Sequence, residues 1–540
     1  MTKRFYKTDY ETGQDNISWF GLDVHNPVFF IAAVLMLSFV GAAVVAPETV
    51  SVMLFAARDW VLETFDWFFV LGVNIVFVFC LVVLVSPLGR LRIGGSEARP
   101  DFSTPSWLAM LFSAGIGIGL MFWGAAEPLA YHTDWFGTPL GVEPGTEASA
   151  RLALSATMFH WGLNAWSIYA VLGLALAYFA FSKGLPLTMR SAFYPLLGER
   201  IWGWPGHLID ILAVIATLFG LATSLGLGAQ QVASGLDFLF GIDPGIITQI
   251  IVIGCITSIA ILSVVRGLDG GVKVLSNINM VMAGIFLLFI FIVGPTSVIA
   301  SGFWVNTVDY VRDFLPLSNW VGRDDTEWFH GWTIFYWAWW VSWSPFVGMF
   351  IARVSKGRTV REFLSAVIFV PLLITIAWFS TFGETAIFQY ENGIGELADG
   401  VGEVSLVLFQ MLDHLPFAAI TSFIAIVLVF VFFVTSSDSG SLVIDSITAG
   451  GKLHAPVPQR IFWATIEGLV AAVLLYGGGA QALQGLQAGA ITAGLPFMVV
   501  LLVCCYSLWK GLWSDLRAQR ALEAARKAAT VSGSDVNAKA

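Results

Sequence analysis

Apolar stretches long enough to cross a bilayer recur along almost the whole chain, and that recurrence leaves few folds open. Crossing the hydrocarbon core takes about 20 helical residues at 1.5 Å each. Twelve stretches meet this measure: 28–46, 67–87, 105–126, 152–181, 207–239, 245–265, 274–300, 331–353, 363–388, 415–449, 459–477 and 486–511. In lipid each must satisfy its backbone internally, so each reads as a helix. Several exceed the minimum length, so tilted or broken helices are expected. Segments 49–62 and 396–412 mix apolar and acidic residues and are expected to lie at the interface, as is 314–330. Charged residues make up 12% of the 540 residues, against roughly a quarter in soluble domains. One all-α membrane domain over 27–511 follows, with tails at 1–26 and 512–540.

Positive charge sets the orientation. With the N-terminus inside, the inner segments hold 23 Lys and Arg and the outer ones hold 4: Arg58, Arg151, Arg312 and Arg323. This bias supports twelve spans with both tails in the cytoplasm, in the inner (plasma) membrane. The first stretch exceeds a signal-peptide core of about 7–15 residues, so it is expected to remain as a span.

Other classes find little support. The net charge of −10 sits mostly in loops, and no basic stripe suits a nucleic acid. Cys80, Cys255, Cys504 and Cys505 lie in apolar runs without metal or redox spacing and read as small buried hydrophobes. The seven histidines include no HxxxH pair, and no nucleophile–base set is legible, so neither an enzyme nor a cofactor is expected. A channel would show a filter repeat and fewer broken helices.

Three places depart from lipid-facing helix chemistry. The third span runs Ser113-Ala114-Gly115-Ile116-Gly117-Ile118-Gly119 and on to Glu127-Pro128. Each glycine weakens a helix by about 1 kcal/mol relative to alanine. An unwound turn there would free N–H groups for an anion and carbonyls for a cation; close packing through small residues is the alternative. The second place is aromatic. On the fourth span Trp161, Trp166 and Tyr169 fall within roughly 140° of one helix, and on the eighth Trp339, Trp340 and Trp343 fall within about 100°. The interfacial belt accounts for Trp60, Trp67, Trp107 and Trp332 but poorly for a Trp-Trp-x-x-Trp cluster within a span. Facing rings would cage a quaternary ammonium through cation–π contacts of about 0.5–2 kcal/mol each. The third place, Thr435-Ser436-Ser437-Asp438-Ser439-Gly440-Ser441 on the tenth span, offers hard oxygen ligands and a buried acid. Thr435 and Ser436 read as ion ligands; Ser439 and Ser441 read as bonding back to their own helix. Glu127 reads as facing water or capping a neighbour, His160 as a hydrogen-bonded core histidine, and Glu384 has no assignment.

Together these places resemble the betaine/carnitine/choline transporter family. The block Trp339 to Phe350, followed by Ile351-Ala352-Arg353-Val354-Ser355-Lys356-Gly357-Arg358, is similar to the family's hallmark. The resemblance covers about 25–510. It implies two inverted five-helix repeats, spans 3–7 and 8–12, after two extra helices, and a homotrimer. It implies substrate among Trp161, Trp166, Tyr169, Trp339, Trp340 and Trp343, with the backbone of Gly115, Ile116, Gly117 and Gly119 facing its carboxylate. It implies one sodium ion at backbone carbonyls of Ser113, Ile116 and Phe432 and the hydroxyls of Thr435 and Ser436. A second family sodium site matches at Thr217 and Phe346, but Leu221 stands where a second threonine is usual. No arginine lies in the fifth span to replace sodium, as it does in the family's exchangers. Gly119 stands where choline carriers tend to have aspartate, which favours a zwitterion. The expectation is sodium-coupled uptake of glycine betaine, with dimethylsulfoniopropionate as close competitor and choline or ectoine behind.

Overall fold

A computed structural model describes the backbone of residues 5–115, 117–266 and 272–537, with side chains except at 112–115, 264, 266, 272–276, 480 and 526–537. The principal helices are α1 (Val28–Val45), α2 (Pro47–Val85), α3 (Thr104–Gly115), α4 (Ile118–His132), α5 (Glu147–Trp161), α6 (Leu163–Ala177), α7 (Trp204–Phe240), α8 (Ile246–Arg266), α9 (Val272–Val293) and α10 (Thr296–Leu317). They continue with α11 (Phe335–Val354), α12 (Val360–Glu391), α13 (Ala418–Thr448), α14 (Val457–Gly478) and α15 (Ala482–Asn537).

Among the described residues, nine spans are long and apolar enough to cross a membrane, each with a window of mean hydropathy 1.6 or more. The α9–α10 pair, bent by 112°, makes a tenth. The two remaining expected spans fall where hydropathy and length fail as signals. The third is split into α3 and α4, each too short alone, and the eighth is the tryptophan- and serine-bearing α11.

Helix ends differ from expectation in physically ordinary ways. The segment 49–62 does not lie apart at the interface but continues into the second span as the 39-residue α2, since nothing in it breaks a helix. The bend after the seventh span sits at Gly294-Pro295, so the outer helix is α10 and not 314–330. Within 396–412 the chain forms short 3-10 turns and begins the helix Val407–Asp413. The twelfth span runs on without a break into the C-terminal tail as α15.

The N-terminal tail departs from an all-helical fold. Asn16–Trp19 and Leu22–His25 pair as an antiparallel hairpin, β1 and β2, closed at Phe20-Gly21 where both residues take positive φ. The hairpin docks on the ends of α13 and α14: Lys452 bonds Asp23 at 2.5 Å, and Asn16 Nδ2 donates to the Ala449 carbonyl at 3.0 Å. Upstream, Tyr10 stacks on Trp202 at 4.0 Å. Burial, and then the Arg190 guanidinium, hold the His25 pKa down to about 3, so the imidazole docks neutral.

Inner and outer helices are distinct. Every residue of α4 is buried, and 89% of the apolar window of α5–α6 is buried, against 22% of that of α8. The outer faces of α1, α8 and α9 expose Val34, Leu37, Ile251, Leu262, Ile285 and Ile292, as the rim of a multi-pass membrane protein must. Trp60 and Trp67 are exposed, as a belt requires, but Trp107 and Trp332 are buried. Trp107 is held inside because its indole donates to Ser355 at 3.0 Å and Arg358 lies 4.4 Å over its ring. Three cysteines are buried, and Cys255 is exposed on the apolar face of α8.

Candidate functional site

The site forms where two inner spans break. At the first break α3 ends at Gly115 and α4 starts at Ile118, with Gly117 fully extended (φ −150°, ψ −157°). Ile116 lies outside the described residues, and Ser113 and Gly115 are described in backbone only, as the last turn of α3. Gly117 and Gly119 lean on tryptophans. A Cβ at Gly119 would stand 2.5 Å from the Trp161 ring and 3.2 Å from that of Trp339; one at Gly117 would touch Trp343 at 3.9 Å. Only glycine fits at 119 with these rings in place.

The second break is Gly162, between α5 and α6. A side chain there would meet the Met158 carbonyl at 2.4 Å. The expected single face for Trp161, Trp166 and Tyr169 therefore does not exist, because Trp161 ends one helix and the others ride the next. The break frees carbonyls of the last turn, which need other donors. Trp340 Nε1 donates to the His160 carbonyl at 2.8 Å, and Thr375 Oγ1 to the Trp161 carbonyl at 3.1 Å. Breaking the helix thus fixes the aromatic ring of α11 against it.

The rings converge nonetheless. Trp161 meets Trp340 edge to face at 4.8 Å and Trp339 at 6.2 Å; Trp339 and Trp340 stack at 4.8 Å. Tyr169 meets Trp340 at 6.2 Å and Trp166 at 5.5 Å, so Trp166 joins through Tyr169. Trp343 packs against Trp339 at 6.5 Å and into the notch at Gly220, whose carbonyl accepts from Trp339 Nε1 at 3.3 Å. All six rings are 1–7% exposed. Two donors among them, Tyr169 Oη and Trp343 Nε1, are buried without a hydrogen-bond partner.

Behind the rings lies a residue the sequence reading placed wrongly. Glu127 neither faces water nor sits at a helix end: it is fully buried within α4, which continues past Pro128 to His132. Oε2 accepts from Trp161 Nε1 at 2.8 Å and Tyr336 Oη at 2.5 Å; Oε1 accepts from Tyr131 Oη at 2.8 Å and lies 3.2 Å from His160 Nδ1. His160 Nε2 is 2.9 Å from Thr333 Oγ1, so it is the hydrogen-bonded core histidine its surroundings suggested. The missed signal was the i, i+4 pair Glu127–Tyr131 inside an apolar run, hidden by Pro128. Glu384 accepts from Asn306 Nδ2 at 2.8 Å and lies apart from the rings.

On α13, Thr435 and Ser436 are half-buried while Phe432, Phe433, Val434, Ser437 and Asp438 are buried. Thr435 Oγ1 donates to the carbonyls of Val431 at 3.1 Å and Phe432 at 3.0 Å, which leaves its lone pairs free for a cation. Gly228 of α7 lies beneath both Phe433 and Ile118, which sets α13 beside the glycine break. Ser441 bonds back to the Asp438 carbonyl at 3.0 Å. Thr217 Oγ1 likewise donates to the Ala213 carbonyl at 2.7 Å, and Phe346 packs on Trp343 at 5.5 Å. Leu221 packs its side chain onto Gly440.

A cavity of about 470 Å³ opens elsewhere, lined by Arg58, Trp135, His330, Trp332, Gln484 and Gln487 among others. It includes none of the six rings. Trp332 stacks on Tyr336 at 6.4 Å, and Tyr336 on Trp340 at 5.7 Å, so an aromatic column joins cavity and cluster.

The comparisons with known proteins decide the family. The model of the betaine/carnitine/choline family transporter matches residues 27–517. The chain belongs to this family. It is 58% identical over 516 residues to a glycine betaine/proline/choline/ectoine transporter of Vibrio parahaemolyticus serotype O3:K6, covering 95% of this chain and 92% of that one. It is 58% identical over 510 residues to glycine betaine transporter 1 of the same organism (94% and 97%). It is 43% identical over 493 residues to a glycine betaine transporter of Bacillus subtilis (91% and 95%). This betaine/carnitine/choline family protein is therefore a transporter and not an enzyme.

Proposed function

We infer that the transporter couples sodium to the uptake of glycine betaine by alternating access. The observation that carries this reading is the convergence of Trp161, Tyr169, Trp339 and Trp340 at ring separations of 4.8–6.2 Å around the helix breaks. A trimethylammonium group keeps its charge and donates no hydrogen bond, so π faces suit it. The substrate carboxylate would take the N–H groups at the start of α4, beside Gly117 and Gly119, with Tyr169 Oη and Trp343 Nε1 as spare donors.

Twelve spans in two inverted repeats, with both tails cytoplasmic, belong to the same reading, with the breaks at Gly117 and Gly162 in the first two spans of the first half. One sodium ion would lie between α13 and the glycine break, on Phe432, Thr435 and Ser436 with Ser113 and Ile116 opposite. The second site, at Thr217 and Phe346, is the weaker assignment, because Leu221 fills the place of an oxygen ligand and packs on Gly440. Assembly as a homotrimer in the plasma membrane belongs to the same reading. Dimethylsulfoniopropionate, another onium carboxylate, fits the same rings. Choline and ectoine, which the name of one relative includes, define the wider range to be tested.

The test is uptake of labelled glycine betaine into proteoliposomes, with and without a sodium gradient, against excess dimethylsulfoniopropionate, choline, carnitine and ectoine. Sodium-dependent uptake inhibited best by onium carboxylates is the expected result. Uptake indifferent to sodium, or inhibited best by choline, overturns the assignment.

A further inference from the structure

A second buried glutamate lies on α14, the helix packed against α13. Glu467, midway along α14, is 0% exposed, and neither carboxylate oxygen has a hydrogen-bond partner among the described residues. The polar groups that act on it are Ser437 and Asp438 of α13. Ser437 is 1% exposed with its hydroxyl unpartnered, and Asp438 is 2% exposed with Oδ2 unpartnered. Four unpaired oxygens from two packed helices thus share one apolar interior. No N–H or ammonium group bonds any of the four.

The charges around them are countable. Arg460, near the start of α14, acts on Asp438 from a distance while its own Nε bonds Asp445 Oδ2 at 3.1 Å. Arg353, near the end of α11, faces Arg460 and not the glutamate. From α8, Thr257 presents a hydroxyl over Gly468, next to Glu467. Arg460 is already paired with Asp445, so neither Asp438 nor Glu467 has an ion-pair partner of its own among the described residues. A carboxylate held in hydrocarbon without a partner is costly, so such a group marks a site for something that pairs with it.

We propose that Glu467, Asp438 and Ser437 form a sodium site between α13 and α14, separate from Thr435 and Ser436 on the same helix. The donor set is oxygen only, with no nitrogen or sulfur, which suits a hard cation. No group of three or more His, Cys, Asp or Glu gathers among the described residues, which speaks against a divalent ion. Sodium here would lock α13 to α14 as the cation nearer the rings locks α13 to the glycine break. Because the ligands are distinct from the substrate cage, this site stands or falls apart from the choice of substrate.

The experiment is radioactive sodium binding to the purified, reconstituted full chain over a concentration series, with betaine binding read in parallel by tryptophan fluorescence. Wild type is expected to show one component that Glu467→Gln and Ser437→Ala each weaken by about tenfold or more. Ser436→Ala should weaken a different component. Glu467→Gln protein that still binds betaine but retains the full wild-type sodium isotherm overturns the site. So does a Glu467→Gln effect that appears only as a changed pH profile, which would assign the glutamate a proton in place of sodium. A loss of betaine binding by wild type with sodium binding intact would overturn the substrate assignment and leave this site standing.

Discussion

Glu127 and Glu467 are the same residue type, and both are completely buried, yet the protein treats them oppositely. Glu127 is met by the indole of Trp161 and the hydroxyls of Tyr336 and Tyr131, with His160 at 3.2 Å. Glu467 has only the Ser437 hydroxyl beside it and no N–H donor among the described residues. A carboxylate satisfied by neutral donors is a construction element: it orients the rings that bond it. A carboxylate left unsatisfied is a vacancy in the hydrogen-bond network, which a ligand can complete. The difference separates framework from site more sharply than burial or residue type does.

The largest effect expected from breaking this contrast is at Glu127. Glu127→Ala strips the acceptor from Trp161, Tyr336 and Tyr131 at once, and each orphaned buried donor costs about 1–3 kcal/mol. Betaine uptake per inserted molecule should fall by about 100-fold or more. Glu127→Gln keeps one acceptor oxygen and should lose less. Equal uptake by wild type and Glu127→Ala in proteoliposomes would show that the rings hold their positions unaided.

Next in size is Trp340→Ala. It removes a face of the cage and also the donor to the His160 carbonyl at the helix break. A cation–π contact of about 2 kcal/mol and one orphaned carbonyl together predict loss of high-affinity uptake with insertion unharmed. Titration of betaine against tryptophan fluorescence checks it; an unchanged affinity removes the cage from the mechanism.

A smaller but more pointed effect is expected at Gly119. On charge alone, Gly119→Asp should recruit choline. The ring of Trp161 stands 2.5 Å from where the new Cβ would be, so the substitution must first displace that ring from Glu127. Betaine affinity should drop about tenfold or more, with no gain for choline. A gain in choline uptake would show that the ring swings aside easily and that charge outweighs shape.

Which of these residues could be read from sequence follows a physical rule. The long apolar spans were legible because lipid enforces them residue by residue. The tryptophan pairs on α11 were legible because they violate that rule within a few neighbouring positions. Gly162 was not, because a lone glycine in a helix is usually tolerated, and its necessity comes from Met158 and Tyr310 at 2.4 and 2.8 Å. Glu127 was misread because its partners come from α4, α5 and the start of α11, far apart in the chain. Glu467 carried no local signal at all: its meaning is the absence of partners, which only the packed helices reveal.

The smallest effect, and the one that tests the comparison itself, is on stability. Glu467→Gln replaces an unpaired carboxylate by a neutral amide of the same shape. In sodium-free buffer this should leave thermal stability unchanged or raise it, since a neutral amide is less costly to bury than a carboxylate without a counter-charge. Sodium should then stabilise the variant less than it does wild type, because a ligand that binds only the folded state shifts the midpoint by mass action. Glu127→Gln in the same assay should lower the midpoint with or without sodium, since the amide keeps one acceptor oxygen where Trp161, Tyr336 and Tyr131 all donate, and a tyrosine hydroxyl must turn to accept from the new N–H. Melting curves of the three proteins, each with and without sodium, settle the matter. If Glu467→Gln is destabilised as much as Glu127→Gln in the absence of sodium, then Glu467 is framework too, and the asymmetry between the two glutamates is lost.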